Sequence, residues 1–253
     1  MKNLRSKSGF TILELALSMA FLSFLLLAIG IVTVQLMQIY QKGVTLKTVN
    51  NNGRELVDEF TRTISGTLYT PPEEDSSFAE AVYVQPTASI LRSGTDSKAV
   101  PAYGAFCAGN YSYIWNTGYA LNLTDETEIE NFRARLVGYD EDINLLRLDD
   151  PGRAVCKNRD QNLFTGGSNP TELFPESKSE LALYDLVVYE PSYHEHTGHA
   201  LFSVSFILGT LSGGVDITLP GNYCTSMPDG FATDFAYCSV NKFNFAVRAT
   251  GGS

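Results

Sequence analysis

The sequence predicts an α+β protein in which a long N-terminal α-helix, half transmembrane and half amphipathic, packs on a head built from an antiparallel β-sheet. A long apolar run near the N-terminus and an amphipathic continuation with helical spacing predict the helix. Short segments rich in β-branched and aromatic residues follow and predict the sheet. The expected organisation is a leader over residues 1–9, a helix over 10–66 and a head over 67–253.

The composition is that of a folded, acidic protein. Of its 253 residues, 44% are hydrophobic and only 18% are charged, whereas disordered chains have few apolar residues and many charges. The formal net charge of −10 argues against nucleic acid or an anionic membrane surface as the main partner, because both attract basic proteins. The composition thus argues against these two classes of partner, and the function has to be predicted from sequence motifs.

Residues 10–40 form an apolar run long enough to span a membrane, since a helix crosses a bilayer with about 20 apolar residues. Glu14 is the only charged residue in that run. The leader contains no acidic residue and three basic ones: Lys2, Arg5 and Lys7. Basic residues before a spanning segment stay in the cytoplasm, so the rest of the chain is expected outside.

Glu14 is the residue that a plain membrane anchor does not explain. A carboxylate costs about 2.5–3.5 kcal/mol at mid-bilayer and less toward the interface, and no basic residue lies within the run to pair with it. Cleavage between Gly9 and Phe10 would free an α-amine four residues from Glu14. Between neighbouring helices displaced along a bundle axis, the amine of one chain reaches the carboxylate of another, which favours assembly.

The residues around this cleavage point, GFTILE over positions 9–14, resemble the class III prepilin motif of type IV pilins and type II secretion pseudopilins. The matching features are Gly9 before the scissile bond, Phe10 after it, and Glu14 fifth in the mature chain. The resemblance implies cleavage after Gly9 by prepilin peptidase, N-methylation of Phe10 and subunit docking guided by Glu14.

The same resemblance implies a location and a set of partners. The protein would be a single-pass protein of the cytoplasmic membrane with its head outside, and would then enter a pilus at the cell surface. Its partners would be other pilin subunits, prepilin peptidase and the pilus assembly machinery.

The helix is expected to continue beyond the membrane to Ser65 and to end at Gly66. Apolar residues recur there with helical spacing, and they would pack against the head: Tyr40, Val44, Val49, Leu56, Val57, Phe60 and Ile64. The glycines at positions 30, 43 and 53 are expected to be bend or melting points, or else places of close helix packing.

Residues 51–60 also resemble the stretch that follows the membrane helix in PilW-type minor pilins and in J-type pseudopilins. The resemblance is carried by Asn51-Asn52-Gly53-Arg54 and Asp58-Glu59-Phe60. Together the two resemblances cover residues 1–66 and leave the head unmatched. A head of this size, with extra loops, fits a minor subunit near a tip or a decorated major subunit.

The head begins after a polar, proline-led linker over residues 70–80. Strands are predicted over 81–85, 111–115, 143–148, 183–189, 200–208, 215–219 and 241–247. A helix is predicted after Thr124, which would cap it, with an apolar stripe of Ile129, Phe132 and Leu136.

All four cysteines lie beyond the apolar run, in the part expected outside the cytoplasm, which predicts two disulfides. Four cysteines allow three pairings. The pairing Cys224–Cys238 is favoured because it closes a short loop, and it leaves Cys107–Cys156 by elimination. The alternative is that the cysteines are reduced and buried as small hydrophobic residues.

Two clusters in the head contain residue types that bind metals. The three histidines, His194, His196 and His199, offer ring nitrogens to a transition metal, although their position between two strands favours an exposed turn. Asp140, Asp142 and Asn144 begin like an EF-hand calcium loop, but leucine stands where that loop needs glycine. Asp149, Asp150 and Asp160 could complete an irregular calcium site, although a solvated acidic face is favoured for all of these acids. No nucleophile motif is present. Neither enzymatic activity nor a cofactor is expected.

The sequence therefore predicts a structural subunit of a type IV pilus, a minor pilin, assembled through its N-terminal helix. Three alternatives remain open: a type II secretion pseudopilin, a tip adhesin in which the helix only mounts a binding module, and a membrane-anchored metalloenzyme that uses the histidines.

Overall fold

The computed structural model describes residues 11–69, 82–84, 89–91, 99–157, 159–160, 162–174, 181–194, 199–211, 215–216, 223–224 and 237–251. These residues form four helices and sixteen strands, and they confirm the predicted α+β class, with a long N-terminal helix and antiparallel sheets. The leader and the predicted linker over 70–80 lie outside the described residues.

The helices are α1 (Ile12–Ser65), α2 (Gly118–Leu121), α3 (Glu126–Phe132) and α4 (Ala154–Lys157). The strands are β1 (Leu68–Tyr69), β2 (Val82–Val84), β3 (Ser89–Leu91), β4 (Ala99–Pro101), β5 (Tyr103–Ala108), β6 (Tyr111–Asn116), β7 (Arg135–Leu136), β8 (Leu145–Asp149), β9 (Arg159–Asp160), β10 (Leu163–Phe164), β11 (Ser168–Glu172), β12 (Leu181–His194), β13 (His199–Thr210), β14 (Val215–Asp216), β15 (Tyr223–Cys224) and β16 (Val240–Gly251). Every predicted strand overlaps an observed one. The sequence pattern missed the others, including β5.

Helix α1 is continuous over 54 residues, so the prediction that its glycines melt it is wrong. Added Cβ atoms at Gly30 and Gly43 would meet open space. At Gly53 a Cβ would lie 2.0 Å from Cζ of Phe243, which is far closer than van der Waals contact. Gly53 is therefore needed for the close approach of α1 to β16.

Two main sheets form the head. A four-stranded sheet has the order β1-β16-β13-β12; it is antiparallel except that β1 runs parallel to β16. A five-stranded antiparallel sheet has the order β11-β8-β6-β5-β2. The C-terminal part of α1 packs on β16 and β13 of the first sheet.

The largest hydrophobic core joins α1 to both sheets around Phe60. The ring of Phe60 is fully buried and meets three aromatic rings edge to face, with centroid distances of 5.4 Å to Phe106, 5.3 Å to Tyr113 and 5.9 Å to Phe206. Phe106 and Tyr113 belong to the five-stranded sheet and Phe206 to the four-stranded sheet. One helix side chain thus holds the two sheets together.

The five-stranded sheet is buried on both faces in its centre. Successive side chains of a strand point to opposite faces. Phe106 therefore packs in the α1 core, whereas its neighbour Cys107 packs in a second core with α4 and β10. Because both faces are covered, β5 lacks the polar alternation by which a half-buried strand is detected.

The start and the extent of α3 differ from the sequence prediction. Asp125, not Thr124, is the N-cap, and its carboxylate accepts hydrogen bonds from the N–H groups of Thr127 and Glu128 at 3.0 and 3.1 Å. Leu136 is not part of the helical stripe, because α3 ends at Phe132 and Leu136 lies in β7. Asp is at least as good an N-cap as Thr, and here it lies one residue closer to the helix.

Gly53→Ala tests the close approach of α1 to β16. We expect this substitution to lower the free energy of unfolding by about 1–3 kcal/mol, because the added methyl group meets a packed ring. Gly43→Ala is the matched control, since its methyl group enters open space and alanine favours helix by about 1 kcal/mol. Thermal unfolding of the full chain in mild detergent, followed by near-UV circular dichroism, measures both. Equal stability of the two variants would contradict the contact.

Candidate assembly surface

The N-terminal part of α1 is not covered by any described residue of the head. Every residue from position 11 to 40 is exposed, and the first buried residue of the helix is Val49. Tyr40 and Val44, which were predicted to face the head, are 69% and 47% exposed. Packing against the head therefore begins later than the sequence pattern predicted.

This exposed stretch of α1, called the apolar stalk below (residues 12–40), presents large apolar side chains around its whole circumference. They are Ile12, Leu13, Leu15, Leu17, Met19, Phe21, Leu22, Phe24, Leu25, Leu26, Leu27, Ile29, Ile31, Val32, Val34, Leu36, Met37 and Ile39. Exposed apolar surfaces of this extent mark sites of membrane or protein interaction.

By length and composition the apolar stalk is a candidate membrane span. At 1.5 Å per residue it is about 43 Å long, which exceeds the hydrocarbon core of about 30 Å. The stalk is therefore long enough to cross a bilayer.

Glu14 lies in the first turn of α1, where Thr11 holds it in a capping box. The backbone N–H and the hydroxyl of Thr11 both donate to Oε2 of Glu14, at 3.0 and 2.9 Å. In return, the N–H of Glu14 donates to the hydroxyl oxygen of Thr11 at 3.3 Å. The box satisfies N–H groups that a helix start leaves without partners, and it places the carboxylate at the positive end of the helix dipole.

One oxygen of Glu14 thus has a polar partner, although not a basic one, within its own chain. Its other oxygen, Oε1, accepts no hydrogen bond from any described residue. No role was predicted for Thr11, although the spacing Thr-x-x-Glu before an apolar run is the signal of a capping box. Gly9 and Phe10, the predicted processing residues, lie outside the described residues.

Polar contacts connect α1 to the head just after the stalk. The ammonium group of Lys42 donates to the backbone carbonyl of Cys238, and burial lowers the pKa of Lys42. Two turns later, Nδ2 of Asn241 donates to Oδ1 of Asn50 at 2.7 Å. These contacts involve residues at the start of β16, so they help to set the direction in which the stalk leaves the head.

Both predicted disulfides are present. Cys107 of β5 is joined to Cys156 of α4 with a Cα–Cα distance of 6.4 Å, and both residues are buried. Cys224 is joined to Cys238 with a Cα–Cα distance of 5.9 Å, and Cys224 is partly exposed. Disulfides persist in oxidising compartments, which agrees with a head outside the cytoplasm.

The predicted histidine cluster lies at the end of the β12–β13 hairpin. His194 ends β12 and His199 begins β13, opposite each other in the strand register, whereas His196 lies outside the described residues. Within the described ranges, no group of three His, Cys, Asp or Glu side chains is arranged to hold a metal ion.

Asp142 and Asp150, two of the acids in the predicted calcium cluster, have structural partners. Asp142 forms an ion pair with Arg133 at 3.0 Å. Asp150, which was expected on a solvated face, is instead buried and accepts hydrogen bonds from the hydroxyl of Ser112 at 2.8 Å and from two N–H groups at the start of α4 at 2.9 Å. Asp150 thus fixes α4, and with it Cys156, against the sheet.

Comparison of the chain with known protein families, with curated proteins and with solved structures finds no significant match. The function is therefore inferred from features of this chain alone. They are the GFTILE motif over residues 9–14, the exposed apolar stalk, the capped Glu14 and the disulfide-linked head.

The burial of the disulfides predicts the order in which they are reduced. We expect a mild thiol reductant to open Cys224–Cys238 before Cys107–Cys156, because thiolate attack needs access to a sulfur and Cys107 is fully buried. Timed alkylation of the folded protein, followed by peptide mass spectrometry, measures the order. Earlier labelling of Cys107 would contradict it.

Removing each disulfide by a paired Cys→Ser substitution should also destabilise the head to a different degree. The two disulfides close loops of 49 and 14 residues. From these lengths we expect the free energy of unfolding to fall by about 4 kcal/mol without Cys107–Cys156 and by about 3 kcal/mol without Cys224–Cys238. Urea unfolding of the two variants makes the comparison.

Proposed function

We propose that the chain is a structural subunit of a type IV pilus, a minor pilin processed by prepilin peptidase and assembled through its apolar stalk, and that it is not an enzyme. The observation that carries the proposal is the form of α1. One continuous helix buries its C-terminal part in a disulfide-linked head and leaves its N-terminal part exposed on all sides, with Glu14 as the single charged residue of that part.

In this proposal the apolar stalk has two successive environments. It first lies in the cytoplasmic membrane, which solvates its apolar surface. It then packs among the stalks of neighbouring subunits in a filament. Lipid tails are as apolar as leucine, so exchanging lipid for helices brings little hydrophobic gain, and the association depends on shape and on polar pairing.

Glu14 provides that polar pairing. Cleavage after Gly9 leaves a mature chain that starts one residue before the capping box, so each stalk has a positive α-amine and a carboxylate at the same end. Thr11 occupies Oε2 of Glu14, which leaves Oε1 to accept from the amine of an adjacent subunit. A charge left alone in an apolar bundle is costly, so subunits shifted to a register that pairs both charges are favoured.

A type II secretion pseudopilin is the alternative that shares all of these stalk features. It would use the same processing and the same pairing at Glu14, but it would form a short periplasmic assembly instead of a surface fibre. Separating shed surface fibres from the periplasmic fraction distinguishes the two. The head, with its two main sheets, is the part that would carry a ligand if the subunit acts as a tip adhesin.

Processing can be tested directly on the mature N-terminus. Co-expression with a prepilin peptidase, followed by intact-protein and N-terminal peptide mass spectrometry, should show a chain that begins at N-methylated Phe10. A Gly9→Val variant should keep residues 1–9, while Gly30→Ala is the matched control and should be processed normally. A mature chain that starts at Met1, or that is cut after residue 40, would exclude the proposal.

The role of Glu14 can be tested with variants that separate its charge from its capping. Glu14→Ala removes both, whereas Glu14→Gln keeps an acceptor for Thr11 and removes only the charge. We expect both variants to insert into the membrane and to reduce filament incorporation by about tenfold, because an unpaired amine remains in the bundle.

The control for these variants is Asp58→Ala, which removes an exposed acid from the same helix outside the stalk. Immunoblots of sheared filaments and of the membrane fraction measure incorporation and insertion separately. Normal incorporation of Glu14→Gln would leave only the capping role for this residue.

A further inference from the structure

A cleft of about 460 Å³ opens in the head where three segments meet. They are the last turns of α1, the turn between β5 and β6, and the loop between β8 and α4. Each region contributes to the lining, and the described residues that line the cleft include three arginines from different elements: Arg62, Arg147 and Arg153. The cleft is far along α1 from the apolar stalk.

The charge of this arginine cleft is opposite to that of the chain. The chain carries 28 acidic and 18 basic residues, yet Glu59 is the one acidic side chain among the described lining residues. Oε1 of Glu59 accepts from Nη1 of Arg147 at 2.9 Å and from the hydroxyl of Tyr113 at 3.0 Å, so one arginine is neutralised. The described lining residues, three arginines and one glutamate, carry a formal charge of +2.

Arg62 lies in the last turn of α1, where its positive charge interacts favourably with the negative end of the helix dipole. It is exposed, and it forms no ion pair with an acidic side chain in the part of the chain that the structure describes. Its guanidinium group is therefore available to a ligand in the cleft.

The other two arginines are held in place by the surrounding structure. The guanidinium carbon of Arg147 lies 5.3 Å from the ring centroid of Tyr111, which orients it in addition to its bond with Glu59. The backbone of Arg153 has a φ of 53°, a left-handed conformation that residues other than glycine seldom adopt. Its Nε donates to the carbonyl of Gly109 at 3.5 Å, so its side chain leans toward the cleft wall formed by the β5–β6 turn.

We propose that the arginine cleft binds a small oxyanion, that is, a ligand with a carboxylate or a phosphate group. Guanidinium groups donate paired N–H bonds that match the oxygens of both groups. The cleft volume lies within the range of small-molecule sites, and the ring of Tyr111 offers an apolar wall to the rest of the ligand. The site is independent of the stalk and of the pilin proposal.

The test uses the full chain in an uncharged detergent at constant ionic strength. Isothermal titration with inorganic phosphate in one arm and with succinate in the other measures binding and distinguishes the two oxyanions. We expect saturable binding of at least one of them. Arg62→Gln and Arg153→Gln should each weaken it about tenfold, as the loss of one charge-assisted contact predicts.

Arg54→Gln is the matched control, because Arg54 is exposed on the same helix and does not line the cleft, and the substitution changes the net charge equally. It should leave the affinity unchanged. The melting temperature of each variant without ligand shows that it folds, and Arg153→Gln keeps the test valid if Arg62→Gln does not fold. Absence of binding in both arms, or equal weakening by Arg54→Gln, would overturn the proposal.

Discussion

The burial of the Phe60 side of α1 between two β-sheets is the interaction on which the rest of the structure depends. Phe60 contacts rings of both sheets, and Gly53 lets the same helix approach β16 closely. The helix is thereby a structural member of the head and not an appended anchor. Because α1 is one continuous helix, packing that occurs well beyond position 40 helps to set the direction of the apolar stalk. The disulfides and Asp150 secure the outer parts of the head to this centre.

The two ends of α1 carry side chains of opposite charge, and each is placed to interact favourably with the helix dipole. At the N-terminus, an acid in an apolar stretch is held by a capping box and stabilises the start of the helix, while its second oxygen accepts no hydrogen bond from the described residues. At the C-terminus, Arg62 offsets the helix dipole and lies beside two further arginines. The chain as a whole is acidic, so its net charge does not predict the group of arginines near the C-terminal end of α1.

Features set by local rules could be predicted from the sequence. The long helix follows from its apolar run and helical spacing, the disulfide pairing from loop length, and most strands of the two main sheets from their β-branched and aromatic residues. Features set by distant contacts could not. Strand β5 was missed because both of its faces are buried, Gly53 because Phe243 meets it from the other end of the chain, and the arginine cleft because its residues are far apart in sequence. Thr11 is different, because its spacing to Glu14 is a local pattern from which the capping box could have been predicted.

The short parallel pairing of β1 with the end of β16 has a mechanical consequence. Leu68 and Tyr69 follow α1 almost directly and are hydrogen-bonded in register with Thr250 and Gly251. A pull transmitted along the chain from α1 would therefore reach β1 first and, through this ladder, β16. The strand that receives the load is also the one on which α1 lies. A pull on the stalk would thus be shared between side-chain packing and backbone bonds at the same strand.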